Sequence, residues 1–348
     1  MVGSETVKVT VLLPGLFDVT AQQWLEHPHH APQLPGLSAL LNRCRRTSKR
    51  SSSFESLLAE KFAFTTSTTL PVAALTYLRD KNAAPRDFTL RADPVYLKAD
   101  RDRLYMLGYD NLKVTLEEAQ TLAAEINRVY ADDGWSLEVG APDRWYICLG
   151  EKPLVETFPL NEVFGKSISG YLPVGKEEKK WRVLLTELQM LLHNSGVNEQ
   201  RAINHQIPIN SVWLWGEGRL PARPAGFENR FDFVWSNDAL CLGLSQWAGC
   251  EYKNLPLTAS EWIKQTAPGR HLIVVDDLRM LAKENIQDWV DKWLVLDENW
   301  FTPLKEAFDK SLMTHLQFEF ESGMVFECGK HGKWNKWWRK KRLWYEWA

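Results

Sequence analysis

Residues suited to binding anions or metal ions follow two short apolar runs. Residues 212–214 lead into a Gly-x-Gly-Arg segment that ends at Arg219, and residues 271–275 lead into Asp276 and Asp277. A guanidinium binds phosphate or carboxylate bidentately, and a glycine turn lets backbone N–H groups approach an oxyanion. The first segment predicts the wall of an anion-binding cleft, with a tight turn whose tryptophans lie in the core as the alternative. Asp276 and Asp277 are either metal ligands or a strand-end cap or surface salt bridge.

The elements that must position these residues are alternating apolar strands and amphipathic helices. Strands are predicted at residues 7–13, 144–149 and 271–275, and helices at 34–46, 115–134, 181–196 and 284–303. Thr115 and Glu118 predict a capping box, and the polar residues 47–53 predict a loop. The alternation is typical of a layered α/β fold, which binds ligands beyond the carboxyl ends of its strands. The mixed region 87–205 predicts an inserted α+β subdomain.

The overall composition excludes a strong bias toward one class of partner. The chain has 348 residues, is 45% hydrophobic and has a formal net charge of −2, so it has no general attraction to nucleic acid or anionic lipid. No run reaches the eighteen or so apolar residues of a membrane span, and Pro14 interrupts the first apolar run. The five cysteines form no Cys-x-x-Cys pair. We therefore expect a cytoplasmic protein with reduced cysteines.

The stretch from Asp87 to Arg219 contains "DFTLRADPV", "VNEQR" and "INSVWLWGEGR" in that order. It resembles the Arg-x-Asn, Val-Asn-x-x-Arg and Asn-x-x-Trp-x-Trp-Gly-x-Gly segments of archaeal-type, cofactor-independent phosphoglycerate mutases, in the alkaline phosphatase superfamily. "DPVYLKADRDRLYML" and "TELQMLLHNSGVNEQR" resemble a poorly characterised bacterial branch labelled as regulatory proteins. The resemblance implies an alkaline-phosphatase-like α/β domain formed by residues 1–86 and 206–348, with the subdomain 87–205 inserted.

The resemblance also implies covalent phosphoryl transfer. In such mutases a serine attacks the phosphate, and two divalent cations, usually manganese, activate the nucleophile and neutralise charge in the transition state. The serine would lie near residues 53–56, where Ser53 and Ser56 are the candidates. The matching segments imply substrate binding by a further set of residues: Arg91, Asn198, Arg201, Gly216, Gly218 and Arg219. For Arg201 the alternative is an ion pair with a neighbouring carboxylate.

The metal ligands of the family pattern are incomplete in this chain. Pro14 stands where the family has an Asp ligand, and Glu321-Ser322 falls where it has an Asp-His pair. A later histidine of the family segment that begins at His271 is also absent. The remnants are Asp18, His271, Asp276 and Asp277. Because a metal site that loses several ligands loses its ion, we expect no metal site and no cofactor, with Mn or Mg as the ion if the site survives.

The C-terminal segment 330–348 interleaves basic residues with tryptophans. Such a segment can contact a membrane surface or a protein partner, and specific nucleic-acid binding is not expected. The alternative is a terminal element whose tryptophans dock on the domain while its lysines stay in water.

Three functional hypotheses follow. The first is a regulatory or anion-binding protein that is not catalytic, with an anionic small molecule as its ligand. The second is an active 2,3-bisphosphoglycerate-independent phosphoglycerate mutase, or a metal-dependent phosphatase, with rearranged ligands such as the loop histidines 27–30. The third is a scaffold that acts through the segment 330–348.

Overall fold

The chain folds into two compact units. The computed structural model describes residues 6–17, 31–64, 70–107, 112–275, 278, 281, 285–329 and 341–347. Met1–Thr65 and Pro224–Ala348 form the first unit, here called the sheet unit, and Thr66–Arg223 form the second, here called the inserted unit. The inserted unit therefore begins earlier and ends later than the predicted subdomain 87–205.

A seven-stranded mixed sheet forms the centre of the sheet unit. Its strands are β1 (Val7–Leu12), β2 (Arg45–Ser48), β10 (Phe233–Trp235), β11 (Glu251–Lys253), β12 (Gly269–Val274), β13 (His315–Glu319) and β14 (Met324–Gly329). Their order is β11-β10-β12-β1-β13-β14-β2. The five strands from β11 to β13 are parallel, whereas β14 is antiparallel to both β13 and β2. The central strand β1 buries Val9, Val11 and Leu12, whereas Lys8 near its start is exposed.

The helices of the sheet unit pack their apolar sides on this sheet. They are α1 (Pro35–Arg43), α2 (Phe54–Lys61), α8 (Ala239–Ala248), α9 (Ala259–Gln265), α10 (Ile286–Leu296) and α11 (Thr302–Asp309). One π-helical turn, Asp297–Phe301, joins α10 to α11. The turn places the buried Asp297 carboxylate at the start of α1, where it accepts hydrogen bonds from the N–H groups of Gly36 (2.9 Å) and Leu37 (2.8 Å). Asp297 thus satisfies donors that the first turn of α1 leaves open.

The inserted unit has an antiparallel sheet built around one long strand. The strands are β3 (Phe88–Asp100), β4 (Arg103–Leu107), β5 (Trp135–Ala141), β6 (Arg144–Leu149) and β9 (Ser211–Gly218), with a separate pair β7 (Val155–Glu156) and β8 (Val174–Gly175). β3 pairs with β4, β6 and β9 along its length.

Helices cover both faces of the inserted unit's sheet. They are α3 (Val72–Lys81), α4 (Leu116–Val129), α5 (Leu160–Val163), α6 (Glu178–His193) and α7 (Gly196–Ile203). Trp145 and Ile147 of β6 share a core with α4 and α6. Tyr146 points to the other face, where its hydroxyl donates to Asp80 of α3 (2.7 Å). The capping box predicted from Thr115 and Glu118 is present at the start of α4.

Three local predictions are wrong for identifiable reasons. The sequence predicts a helix at 34–46 and a loop at 47–53, but the helix ends at Arg43 and residues 45–48 form β2, because the backbone of β14 supplies their partners. The helix predicted to end at Pro303 continues to Asp309, because the π-helical turn starts a new helical segment at Thr302. Pro303 then occupies the first turn, where no N–H donor is needed.

The cysteines were expected to be reduced, and this expectation is contradicted for two of them. Cys44 and Cys328 form a disulfide with their Cα atoms 4.5 Å apart. Cys44 directly follows α1 and precedes β2, and Cys328 lies on β14, which pairs with β2. The strand pairing therefore brings together two cysteines 284 residues apart in the sequence. Among the described residues, no helix is long and apolar enough to cross a membrane.

The described end of the C-terminal segment, residues 341–347, docks on the sheet unit. Trp344 is 1% exposed, packs 5.6 Å from the ring of Phe17 and donates from its indole Nε1 to the carbonyl of Pro32 (2.8 Å). The ring of Trp347 lies 5.4 Å from that of Phe326. For residues 341–347, these contacts agree with the alternative in which the tryptophans of the C-terminal segment dock on the domain. Residues 330–340 lie outside the described residues.

Trp344→Ala is expected to lower the free energy of unfolding by about 3–5 kcal/mol, because it empties a buried aromatic site. Leu343→Ala is the matched control, since Leu343 is 40% exposed, and should change stability by about 0.5 kcal/mol or less. Urea unfolding of the full chain measures both. Equal effects of the two substitutions would contradict docking of the chain end.

Candidate functional site

Gly216 and Gly218 lie within strand β9 of the inserted unit and not in a turn beyond it. The prediction of a glycine turn after residues 212–214 is therefore wrong. A bulge in the pairing between Thr89 and Arg91 of β3 accommodates them, and Gly216 has a positive φ of 69°. A Cβ atom at Gly218 would lie 2.4 Å from the Cβ of Pro71. Glycine is needed here because α3 packs directly on the backbone of β9.

Arg91 lies in a buried polar cluster on the same sheet. Its guanidinium donates to both carboxylate oxygens of Asp93 (2.7 and 2.8 Å) and lies 5.2 Å from the ring centroid of Trp215. The Trp215 indole also donates to Asp93 (2.7 Å). Burial raises the pKa of Asp93 above its usual value, against the opposing effects of Arg91 and Trp215. The partners of Arg91 thus include a carboxylate two residues along the same strand.

Asn198 and Arg201 of α7 are buried and bonded within the inserted unit. The amide of Asn198 donates to the carbonyls of Leu192 and Ile209 and accepts from the N–H of Ile209, all at 2.8 Å. Arg201 is 1% exposed and donates to both carboxylate oxygens of Glu118 at 2.9 Å. Glu118 also completes the capping box of α4. These contacts match the ion-pair alternative for Arg201.

Arg219 is the exposed member of the predicted anion-binding set. Its side chain is 55% exposed, donates to Asp87 (3.2 Å) and stacks 4.7 Å from the ring centroid of Phe88. An exposed ion pair is weak because water screens it, so this guanidinium can exchange Asp87 for another anion. Substrate binding by Arg91, Asn198, Arg201, Gly216, Gly218 and Arg219 stays a prediction.

The carboxyl ends of β1 and β13 form the second candidate site, in the sheet unit. The N–H of Leu13 donates to the carbonyl of Glu319 (3.2 Å), and the N–H of Gly15 donates to the side chain of Glu321 (3.0 Å). The N–H of Ser52 donates to the carbonyl of Glu321 (3.1 Å). The strand ends, the serine-rich segment and α2 therefore meet where the family resemblance places its chemistry.

An ion pair occupies this edge of the sheet. Glu319 is 1% exposed, and its carboxylate accepts from the ammonium group of Lys61, which ends α2 and is 7% exposed. Gln317 donates to the same oxygen, and the ammonium of Lys49 lies 3.7 Å from the other. Lys49 in turn pairs with Glu60 (3.1 Å). Burial lowers the pKa of Lys49, but the hydrogen bond to Glu60 and the charge of Glu319 outweigh it and raise the pKa overall.

Ser53 and Ser56 lie at the start of α2, and both are exposed. The hydroxyl of Ser53 accepts from the N–H of Ser56 (3.2 Å) and donates to the hydroxyl of Ser56 (3.1 Å). Ser53 is therefore the N-cap of α2. In the described contacts of Ser53, no side chain acts as a general base, so its assignment as a nucleophile stays a prediction.

His271 of β12 is fully buried in an aromatic cage. Its Nδ1 accepts from the indole of Trp235 (3.1 Å), and its Nε2 lies 2.8 Å from the carbonyl of Ala267. The first contact requires an unprotonated Nδ1 and the second a protonated Nε2, so the ring is the neutral Nε2–H tautomer. Phe233 stacks on the ring at 4.8 Å. Both nitrogen atoms are therefore occupied, and neither is available to a metal.

The described ligand candidates do not fit a divalent cation. Pro14 has no ligand atom, the nitrogens of His271 are occupied, and the carboxylate of Glu319 faces two ammonium groups. Within the described ranges, no group of three His, Cys, Asp or Glu side chains is arranged to hold a metal. The other predicted remnants, Asp18, Asp276 and Asp277, lie outside the described residues, as do the histidines 27–30.

Sequence reasoning missed Lys61 and Glu319. The available signal was the strict alternation of polar Gln317, Glu319 and Glu321 with apolar residues in and after β13, which predicts one polar face of a strand. The sequence does not reveal that α2 buries this face and supplies its cation.

Gly218→Ala is expected to lower the free energy of unfolding by about 1–3 kcal/mol, because the added methyl group overlaps Pro71. Gly150→Ala is the control, since a Cβ at Gly150 meets no atom within 4 Å, and its effect should be about 1 kcal/mol or less. If both variants melt as the wild type does, the contact between α3 and β9 is not close.

Burial lowers the pKa of His271 below 6.5, so the unfolded chain takes up this proton first as the pH falls. The stability due to the neutral ring is present above pH 6.5 and is lost below it, with a slope of up to about 1.4 kcal/mol per pH unit. Urea unfolding of the wild type and of His271→Phe between pH 7.5 and 5.5 measures the effect. The variant should lose less stability over this range, and identical pH profiles would contradict a buried neutral histidine.

Comparison with known proteins places the chain among relatives named as mutases. It is 28% identical over 146 residues to a Geobacter sulfurreducens protein named "Probable 2,3-bisphosphoglycerate-independent phosphoglycerate mutase". It is also 28% identical over 140 residues to the 2,3-bisphosphoglycerate-independent phosphoglycerate mutase of Methanosarcina barkeri. The matches cover 42% and 40% of this chain, but only 36% and 34% of those relatives. No family model matches the chain.

Solved structures resemble the chain over most of its length. The PH0037 protein from Pyrococcus horikoshii matches with a TM-score of 0.51 and 12% identity, covering 94% of this chain and 88% of that one. A cofactor-independent phosphoglycerate mutase from Thermoplasma acidophilum has a TM-score of 0.47, 15% identity and coverage of 93% and 89%. The mixed sheets and the first likeness confirm the predicted α/β class. In sequence, the chain is similar to the archaeal-type, cofactor-independent phosphoglycerate mutases over about two fifths of its length.

Proposed function

We propose that this chain is a phosphoglycerate-mutase-like protein that is not catalytic and acts by binding an anionic metabolite or a partner in a regulatory role. The observation that carries the proposal is the occupied sheet edge. There, the side chains of Lys61, Glu319 and Glu321 are bonded within the sheet unit, and Pro14 supplies no ligand. A two-metal phosphoryl transfer needs carboxylates and imidazoles that are open to the ions.

The anion-binding part of the proposal rests on Arg219. Unlike Arg201, it has an exposed guanidinium held by one exposed carboxylate, that of Asp87. A phosphate or carboxylate ligand can therefore bind Arg219 without uncovering a buried charge. Arg91 and Asn198 then hold the inserted unit together, through Asp93 and the backbone of Ile209.

An active mutase or phosphatase with rearranged ligands is the alternative, and the similarity to relatives named as mutases favours it. A scaffold acting through residues 330–348 is a further alternative. The described part of that segment carries two exposed cations, Lys341 and Arg342, beside the docked Trp344. A protein or membrane contact through this segment belongs to that alternative.

Two measurements on the purified full chain distinguish the non-catalytic proposal from the rearranged enzyme. They are its metal content and its phosphoglycerate mutase activity with and without added Mn²⁺. We expect no turnover in either condition, because the described ligand positions are occupied. The Methanosarcina barkeri mutase assayed in parallel provides the positive control. Turnover that depends on Mn²⁺ would refute the non-catalytic proposal and support the rearranged enzyme.

A further inference from the structure

The two edge strands of the seven-stranded sheet differ in charge. β11, at one edge, holds Lys253, whose ammonium pairs with the exposed carboxylate of Glu251 in the same strand at 3.2 Å. β2, at the other edge of the described sheet, is Arg45–Ser48, and all four of its residues are exposed. Among the described residues, no carboxylate forms an ion pair with Arg45 or Arg46. Charged side chains protect an edge strand from unwanted pairing, but a neutral ion pair is enough for β11, whereas β2 keeps a net positive charge.

The end of the chain adds a further cation to the β2 edge. Arg46 is in register with Phe326 of β14, and the ring of Trp347 packs 5.4 Å from that of Phe326. The guanidinium carbons of Arg46 and Arg342 lie 5.8 and 4.7 Å from the ring centroid of Trp347. Asn42 bonds the backbone carbonyl and N–H of Arg342 (2.6 and 2.9 Å), which holds the chain end there. Two guanidinium groups therefore converge on one indole ring.

Carboxylates close to this edge in sequence or register are bonded elsewhere. Glu346 accepts from the N–H of Leu343 (3.1 Å). Glu327 lies opposite Arg45 in the strand pairing, but its described ion-pair contact is with His315 (3.7 Å). The chain as a whole has a net charge of −2, so the positive charge at the β2 edge is a local feature. A ligand from outside the chain can neutralise it.

We propose that the β2 edge docks an acidic, extended segment of a partner protein, which adds to the sheet as its next strand. An edge strand presents a row of backbone N–H and C=O groups for such an addition. Alternate side chains of the added strand lie on the face where Arg46 and Arg342 contact Trp347. Carboxylates at these positions bind the guanidinium groups through charge-assisted hydrogen bonds.

The same features disfavour two other occupants. A second copy that paired through its own β2 would set arginines against arginines, and like charges opposite each other destabilise a sheet. A membrane surface is favoured by exposed apolar groups beside the cations. Trp347 instead packs on Phe326, and among residues 341–347 Leu343 is the one large apolar side chain that is exposed.

This inference goes beyond the proposed function, because strand addition at β2 involves no phosphoryl chemistry. Mutase turnover by the full chain would refute the proposed function and leave the acidic strand at β2 in place. Loss of peptide binding in the experiment below would do the opposite. The two failures are therefore distinguishable.

The test is the fluorescence anisotropy of a labelled peptide of alternating Glu and Val, titrated with the full chain. We expect saturable binding that is at least about tenfold weaker in Arg46→Gln/Arg342→Gln, since two exposed ion pairs are lost. Lys253→Gln/Lys264→Gln is the matched control, because it removes two exposed cations of the sheet unit from β11 and α9. It should bind the peptide as the wild type does.

Two further peptides separate strand addition from simple charge attraction. A peptide of alternating Lys and Val reverses the charge. The Glu and Val peptide with every backbone nitrogen methylated keeps the carboxylates but has no N–H donors for the sheet. Both should bind the wild type at least about tenfold more weakly than the unmodified acidic peptide. These comparisons need only the wild type, so they decide the proposal independently of how the variants fold.

Four outcomes overturn the proposal. The first is a wild type that does not bind the acidic peptide, and the second is equal affinity for its methylated form. The third is an equal loss of binding in the two double variants. The fourth is sedimentation of the wild type with vesicles of phosphatidylcholine and phosphatidylserine, lost in Arg46→Gln/Arg342→Gln, without binding of the peptide. That last result would assign the β2 edge to an anionic membrane surface.

Discussion

The compensation of one buried carboxylate organises the carboxyl edge of the sheet unit. Glu319 is placed there by the parallel pairing of β13 with β1, and the backbone of the same strand end holds Leu13. Because the carboxylate is buried, α2 must end where Lys61 can reach it, and the serine-rich segment before α2 must cross beside Glu321. Ser53 forms the N-cap of α2 through a local hydrogen bond with Ser56.

In the inserted unit, arginines form the corresponding ion pairs with carboxylates. Arg91 is buried against Asp93 and Arg201 against Glu118, and the partly buried Arg144 pairs with Asp80 at 2.9 Å. Each guanidinium donates to both oxygens of its carboxylate. For Arg91 and Arg201, which are buried, removing the carboxylate would leave a buried charge uncompensated. Arginine is a residue type that suits an anion site, but these three arginines stabilise the fold. Arg219 differs from them because its side chain is exposed.

The tryptophans have an architectural role wherever the structure describes their contacts. Trp235 donates to His271, Trp289 donates to the carbonyl of Gly15 (3.1 Å), and Trp344 donates to that of Pro32. Each buries a large apolar ring and places its one N–H donor on a buried acceptor. In the cage around His271, Trp235 bonds one nitrogen atom of the imidazole and the carbonyl of Ala267 bonds the other, so neither is open to a ligand.

Local patterns in the sequence determined the elements whose partners lie nearby. The capping box of α4, the strand β6 and the apolar strand β1 follow from spacing alone, because short-range hydrogen bonds and hydrophobic periodicity specify them. The α/β class follows from their alternation. The sequence also determined that Pro14 has no ligand atom.

The tertiary structure decided everything that depends on contacts between distant residues. It placed Gly216 and Gly218 in a bulged strand under α3, joined Cys44 to Cys328, and carried the helix past Pro303. It also bonded Arg201 to Glu118 and set Lys61 against Glu319. Such pairs are hundreds or tens of residues apart, and no local pattern encodes which charge will meet which once both are buried.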